Sequence, residues 1–237
     1  MRILILAVAL VLTGCGRAEP AQPRHGAGEV LLRMVYLPGM VGSREYAPLP
    51  AFSLYGDGRV IAADPSLAAP GKPGGWHRAR QLRIDQANAN RLLRLARTAL
   101  ATAGSPEQIP DASAARYQWV DATGRHRTTT VVLPESQDLY QAVSHPESWL
   151  HARSTAYRAT AIAVLRHDTA QDTTDPRRWP LGTLPTAPCT VLRGDTAARL
   201  AAAAASAPQS TPWTDTHHTA PLQLRPLLPD EHSCADL

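Results

Sequence analysis

The sequence contains very little lysine, phenylalanine and cysteine: its 237 residues include one lysine (Lys72), one phenylalanine (Phe52) and three cysteines. Arginine therefore supplies nearly all of the positive charge, and the core must be built from leucine, valine, isoleucine, tryptophan and tyrosine packed against alanine. The formal net charge is only +4, and the sequence shows no clustered basic face of the kind that binds nucleic acid. We expect no nucleic-acid partner.

The short motifs that mark common enzyme classes are also missing. The sequence has neither of the glycine-rich phosphate-binding patterns GxxxxGK[ST] and GxGxxG, and it has no GxSxG nucleophile motif. The stretch from Gly39 to Ser43 resembles the last motif only in part, and we interpret it as a loop. We therefore predict a protein that is not an enzyme and that holds no cofactor and no metal ion.

An apolar run at the N-terminus is too short to cross a membrane. It extends from Ile3 to Leu12, about ten residues, which is the length of a signal-peptide core, whereas a bilayer needs roughly 20. Arg2 precedes it, and the sequence Leu-Thr-Gly-Cys ending at Cys15 closes it. This pattern is a lipobox, in which signal peptidase II cuts before a cysteine that carries diacylglycerol. An ordinary secretory signal that happens to contain a cysteine is the alternative.

The lipobox predicts a signal peptide at 1–14, lipidation of Cys15 and a flexible tether at 15–28. Two acyl chains anchor a protein stably, since each buried methylene contributes about 0.8 kcal/mol. Cleavage would reduce the net charge from +4 to +3, because Arg2 is the only charged residue removed. We expect a lipid-anchored protein on the extracytoplasmic face of the cell membrane, with an envelope protein or wall polymer as a possible further partner.

Cys189 and Cys234 remain once Cys15 carries a lipid. In an oxidising compartment a disulfide between them is the default expectation. A metal site or a reactive thiol is the alternative, and no CxxC or Cys-His spacing supports it.

The remainder, 29–237, is interpreted as a single α+β domain with a mainly antiparallel sheet and about three helices. A strand at 30–37, hairpins at 52–61 and 117–133, and an extended segment at 189–192 supply the sheet. A last strand at 222–228 contains Pro226, which we expect to confine it to an edge or to bend it. The helices are expected from the N-cap Asp85 to Gly104, over 147–165, and over 196–207 after a turn at 194–195, with a short helical turn at 139–143.

Several polar groups could carry chemistry. His217, His218 and His232 with Asp215 could bind zinc, although adjacent histidines on a strand point to opposite faces and a solvated loop is the simpler interpretation. The acidic stretch containing Asp168, Asp172 and Asp175 lacks the calcium-loop pattern.

An acidic pair, three tryptophans and three arginines are further candidates. Asp230 and Glu231 would form an acid–base pair only if one were buried, and we expect both to be solvated. Three tryptophans in loops could stack on sugars or fill the core, and we favour the core; they are Trp76, Trp179 and Trp213. Three helical arginines could face anionic lipid or wall polymer, or simply solvent; they are Arg91, Arg94 and Arg97.

The chain resembles a family of uncharacterised secreted lipoproteins from high-GC actinobacteria. The resemblance rests on the lipobox, on the hairpin from Phe52 to Ile61 (FSLYGDGRVI) and on the closing stretch from Leu224 to Cys234 (LRPLLPDEHSC). It also draws attention to Cys189 and Trp213. It implies an envelope location and a shared fold, and it implies no assigned reaction, substrate or catalytic residue.

Together these features favour a non-catalytic binding or accessory module of the cell envelope. A cell-wall or small-substrate hydrolase, with a site assembled from dispersed residues, is the alternative from another class. A metal or ligand receptor for an uptake system is a third, although the chain is small for a two-lobed binding protein.

Overall fold

The computed structural model describes residues 25–37, 47–64, 75–76, 78–103, 112–134, 137–166, 175–207 and 211–237. The predicted signal peptide, Cys15 and the tether up to residue 24 lie outside this part of the chain. So do the stretch from Gly39 to Ser43, Asp168 and Asp172.

Thirteen strands and four α-helices form within the described residues, three of the helices having seven residues or more. The strands are β1 (Val30–Leu37), β2 (Phe52–Tyr55), β3 (Arg59–Ala63), β4 (Gly75–Trp76), β5 (Ala79–Arg83), β6 (Ala114–Val120), β7 (His126–Val132), β8 (Thr155–Ala156), β9 (Ala161–Arg166), β10 (Arg177–Arg178), β11 (Cys189–Arg193), β12 (Pro212–Thr214) and β13 (Thr219–Pro226). The helices are α1 (Gln86–Ala101), α2 (Asp138–Ser144), α3 (Pro146–Leu150) and α4 (Gly194–Ala205).

The strands form two sheets, each covered by helices. One sheet is antiparallel throughout, in the order β7-β6-β1-β2-β3-β5-β8, and a large core cluster joins it to α1, α2 and α3. The other has the order β10-β12-β13-β9-β11, with β4 also paired to β13, and its core packs against α4. The α+β class with mainly antiparallel sheets is therefore confirmed. Whether 29–237 is one domain stays a prediction.

The two predicted hairpins are present because their turns have the chemistry that tight turns require. Gly58, between β2 and β3, has a φ of 79°, in the left-handed region that glycine adopts without a steric penalty. At Gly56 a Cβ atom would collide with the carbonyl oxygen of Gly26. In the β6–β7 turn, the carboxylate of Asp121 accepts hydrogen bonds from the backbone amides of Thr123 and Arg125.

Helix α1 also begins where its capping residue predicts. The side chain of Asp85 accepts a hydrogen bond of 2.8 Å from the amide of Asn88, which satisfies one of the free amides of the first turn. A single apolar stripe is buried against the first sheet: Ala89, Leu92, Leu93, Ala96 and Leu100.

The helix predicted over 147–165 is wrong. Helix α3 ends at Leu150, followed by His151 with a φ of 50°, and the chain then forms β8 and β9. The run AIAVLR of β9 pairs with β11 on one side and β13 on the other, so its first five residues are buried. A continuous apolar run of this kind cannot be distinguished from a buried helix by periodicity alone.

Three smaller expectations also change. Strand β13 ends at Pro226 but lies inside its sheet, between β9 and β12, rather than at an edge. Helix α4 includes Gly194 and Asp195, and its N-cap is Arg193. Strand β5, which the sequence did not predict, completes the pairing of β3.

Candidate functional site

The most unusual feature of the interior is a group of charged side chains that joins strands of the first sheet to the end of the chain. Arg33 of β1 lies opposite Ser53 of β2 and donates hydrogen bonds to the Ser53 hydroxyl (3.1 Å), the Tyr55 hydroxyl (3.2 Å) and Oδ1 of Asp230 (2.7 Å). Tyr55 also donates to Asp230, at 2.8 Å. The carboxylate is thus bound by two groups from neighbouring strands.

Burial and charge act together on the pKa values of this group. Burial raises the pKa of Tyr55 well above its ordinary range, so the phenol remains a neutral donor. Burial alone would lower the pKa of Arg33, but its hydrogen bond to Asp230 and the charge of that carboxylate outweigh the loss of solvent, and the pKa is raised. The arrangement therefore stabilises the charged guanidinium and the protonated phenol at neutral pH.

Glu231, the next residue, is buried in a second ion pair. Both of its oxygens accept hydrogen bonds of 2.7 Å from the guanidinium of Arg225 on β13, and Oε2 also accepts from the amide of Leu228. The two side chains are 2% and 3% exposed. The expectation that Asp230 and Glu231 are both solvated is wrong, because the chain after β13 folds back under the sheet instead of ending in solvent.

Residues 227–237, which we call the C-terminal segment, are fastened at further points. Tyr157 donates to the carbonyl of Leu227 at 2.9 Å, and burial raises the pKa of this phenol to about 12. Leu228 packs in a core cluster with Tyr55 and Ile61. The expected disulfide between Cys189 and Cys234 is present, with a Cα–Cα distance of 6.1 Å, within the usual range for bridged cysteines.

These groups bond mainly to one another, although Nε of Arg225 is buried without a hydrogen-bond partner. A general acid or base must come within hydrogen-bond reach of the proton that it transfers. Tyr55 has no exposed surface, and Glu231 is 5% exposed. The arrangement can hold the chain end against both sheets, and that is the chemistry we assign to it.

A separate, open feature lies at the edge of the second sheet. A cleft of about 490 Å³ is formed by the chain after β10 and the turn between β12 and β13. Its lining includes Arg178, Trp179, Thr183, Asp215, Thr216 and His217, and we call it the Arg178 cleft. The volume falls in the range of small-molecule sites.

Asp215 organises this cleft. Its Oδ1 accepts hydrogen bonds of 2.8 Å from the amides of both His217 and His218, and its Oδ2 accepts from the amide of Leu184 at 2.9 Å. These three hydrogen bonds lower the pKa of the carboxyl to about 2, and the bond from the amide of Leu184 has the largest effect. One ionised side chain therefore ties the two walls of the cleft together.

The histidines named as possible zinc ligands do not converge. His217 and His218 are exposed and belong to the turn that Asp215 caps, while His232 lies in the C-terminal segment, where Arg193 donates to its carbonyl. Within the described residues no group of three histidine, cysteine, aspartate or glutamate side chains is placed to hold a metal ion.

The tryptophans and helical arginines are largely engaged with the fold. Trp179 and Trp213 are 3% and 2% exposed and meet edge to face, with ring centroids 5.5 Å apart, so the core interpretation holds for both. Of Trp76 only the backbone is described. Arg91 lies over the ring of Trp149 at 4.4 Å, and Arg97 donates to the carbonyl of Val120.

Sequence reasoning missed Arg33, Tyr55 and Arg225. A signal was nevertheless present for the two arginines, since each lies in a mainly apolar strand, VLLRMVYL for Arg33 and TAPLQLRP for Arg225. A charged residue inside such a strand is buried only when it is paired. The partner of Arg33 lies 197 residues away along the chain, and that of Arg225 lies 6 residues away. Only the second pairing is close enough in sequence to be predicted from a local pattern.

Within the part of the chain that the structure describes, no helix is long and apolar enough to cross a membrane. The chain matches no protein-family model, and comparisons with curated proteins and with solved structures likewise found no match.

Proposed function

We propose that this chain is a membrane-anchored extracytoplasmic lipoprotein that acts as a non-catalytic binding or accessory module of the cell envelope. The assignment of the three cysteines carries the proposal. Cys189 and Cys234 are bonded to each other, so Cys15 is the cysteine that remains, and it stands in the lipobox. Disulfides persist in oxidising compartments, which agrees with export of the chain.

The length of chain before the described part suits an anchored domain. Ten peptide steps separate Cys15 from His25, where the described residues begin, and they span at most about 35 Å when fully extended. His25 lies next to the first sheet, because its ring bonds at 2.9 Å to Glu29, whose carbonyl accepts from the amide of Gly56 in the β2–β3 turn. The end of the sheet that carries the β2–β3 turn therefore lies within about 35 Å of the anchor.

The buried charges support a binding role over a catalytic one. The carboxylates of Asp230 and Glu231 are occupied by Arg33, Tyr55 and Arg225, and Asp215 is occupied by backbone amides. The polar surface of the Arg178 cleft, by contrast, is open to solvent. Clefts with a few placed polar groups are typical of ligand sites.

The anchor is tested by fractionation of a bacterial host that possesses the lipoprotein pathway. We expect Cys15→Ser to appear in the medium or as an uncleaved precursor, because serine cannot carry the thioether-linked lipid. Gly14→Ala is the matched control, since it keeps a small residue before the cysteine and should leave processing and membrane retention unchanged. A Cys15→Ser protein that is processed normally and stays in the membrane would refute the proposal.

The absence of turnover is a separate expectation. Purified protein is assayed on generic ester, peptide and glycan substrates, and we expect no hydrolysis above the background rate. A reproducible rate that one histidine or aspartate substitution abolishes would favour the hydrolase alternative instead.

A further inference from the structure

The polar groups that the Arg178 cleft presents to solvent are mainly hydrogen-bond donors. Arg177 and Arg178 are adjacent on β10, so their side chains point to opposite faces. Arg177 lies opposite the buried Trp213 and donates to the hydroxyl of Ser206 at 2.9 Å. Arg178 is exposed at the cleft, and its side chain has no hydrogen bond or ion pair to any other described residue.

Three further groups complete this donor surface. The imidazole of His217 and the hydroxyls of Thr183 and Thr216 line the cleft and are exposed. The acidic member of the lining, Asp215, has a side chain that is only 3% exposed and is directed at the three amides it binds. An incoming ligand therefore meets a guanidinium, an imidazole and two hydroxyls before it meets the carboxylate.

Backbone hydrogen bonds and a ring contact hold the main chain around the cleft. Parallel pairing of β10 with β12 places Arg178 beside Thr214, and the amide of Trp179 donates to the carbonyl of Thr214 at 2.7 Å. The edge-to-face contact between Trp179 and Trp213 also holds the paired strands β10 and β12 together. Because these contacts form without a ligand, we expect little free energy to be lost in ordering the main chain on binding.

We propose that the Arg178 cleft binds a small ligand through an oxyanion group, a phosphate or a carboxylate, with Arg178 as its charged contact. Guanidinium groups match the planar pairs of oxygens that both anions present. Asp215 is a positioning residue that holds the donors in place and does not itself touch the ligand. The inference rests on the proposed binding role and names the site and ligand class for it.

The test uses the processed protein purified in detergent, titrated with inorganic phosphate and separately with acetate, and followed by tryptophan fluorescence and by amide NMR shifts. We expect saturable binding with shifts at Gly182 and His217. Arg178→Gln should weaken it about tenfold or more, since a charge-assisted bond is lost. Arg177→Gln is the matched control, because that side chain faces away from the cleft, and it should bind like the unaltered protein.

Vesicles of phosphatidylglycerol, mixed with Cys15→Ser protein, separate two sources of the oxyanion. Co-sedimentation that Arg178→Gln abolishes would assign the group to a lipid headgroup, and phosphate or acetate binding without co-sedimentation would assign it to a soluble ligand. No saturable binding of either anion by the folded protein, or equal loss in the Arg177 and Arg178 variants, would overturn the inference. Membrane retention through Cys15 is measured independently, so failure of the cleft leaves the anchor untouched.

Discussion

The two polar stretches that follow β12 and β13 use their carboxylates in different ways. In the turn after β12, Asp215 bonds to amides of its own turn and of Leu184, and it leaves neighbouring side chains free to face solvent. In the C-terminal segment, Asp230 and Glu231 reach Arg33 and Arg225 on two different sheets. The first arrangement shapes an open cleft, whereas the second fastens the end of the chain.

The comparison shows how the partners of a carboxylate determine what a polar stretch of the chain does. Both stretches contain aspartate and histidine, but the C-terminal segment begins with two buried leucines, Leu227 and Leu228. Asp215 accepts from backbone amides, two of them in its own turn, and that turn remains at the surface. Glu231 instead meets the guanidinium of Arg225, and such a pair ties together the elements that carry the two charges.

The largest expected effect comes from breaking the buried pair. Glu231→Gln leaves the guanidinium of Arg225 buried without its counter-charge, and we expect the free energy of unfolding to fall by about 4 kcal/mol in urea denaturation. Arg127→Gln is the control, because that side chain is 53% exposed in its pair with Asp121, and its loss should change the same quantity by less than about 1 kcal/mol. Equal effects of the two variants would contradict the buried role of Glu231.

Removal of the disulfide is expected to come next. Cys189 and Cys234 are 45 residues apart, so the bridge restricts the unfolded chain, and Cys234→Ser should lower the free energy of unfolding by about 3 kcal/mol. The ion pair of Glu231 precedes the bridge along the chain. We therefore expect hydrogen exchange to rise at residues 232–237 and to stay slow at Leu228. Exchange that rises equally at Leu228 would show that the disulfide alone holds the segment.

Asp230 should contribute less than Glu231, because its side chain is 26% exposed. Asp230→Asn removes the charge that Arg33 and Tyr55 share, and we expect a loss of about 2 kcal/mol in the same denaturation measurement. Tyr55→Phe removes a single hydroxyl from that group and should lower the free energy of unfolding by about 1 kcal/mol. An Asp230→Asn protein as stable as the unaltered one would show that its contacts are dispensable.

At Asp215 the expected effect is a local one, in which acid loosens the cleft. Its pKa is about 2 in the folded chain and about 3.9 in an unfolded one, so its contribution is complete above pH 4 and is lost as the pH falls from 4 to 2. Amide exchange at Leu184 and His217 should accelerate over this range. In Asp215→Asn the exchange should already be fast at pH 6, and pH-independent protection in the unaltered protein would contradict the assignment.

Features with local causes were predictable from the sequence. The turn at Gly58, the cap at Asp85 and the hairpin at Asp121 each depend on residues within a few positions, and all three are present. The strand Ala161–Arg166 was missed because its flanking partners, β11 and β13, come later in the chain. The burial of Glu231 was missed for the same reason, since it depends on where the returning chain packs.

The features of the candidate site also differ in whether they could be predicted from the sequence. The pairing of Cys189 with Cys234 followed from counting cysteines once Cys15 was set aside, which needs no knowledge of the fold. The Arg178 cleft could not be anticipated, because it is created by the pairing of β10 with β12 across 35 residues or more of chain. Asp215 drew attention only as one member of a zinc site that was judged less favourable than a solvated loop, and no local pattern indicated that its oxygens accept hydrogen bonds from backbone amides.

Intact-mass spectrometry of the protein extracted from membranes tests the central claim, the assignment of all three cysteines, most directly. We expect a chain that begins at Cys15, carries the added mass of a diacylglycerol group, and gains two hydrogens only after reduction of the bridge between Cys189 and Cys234. A chain that retains Met1, or one cleaved elsewhere with a free thiol at Cys15, would contradict the account.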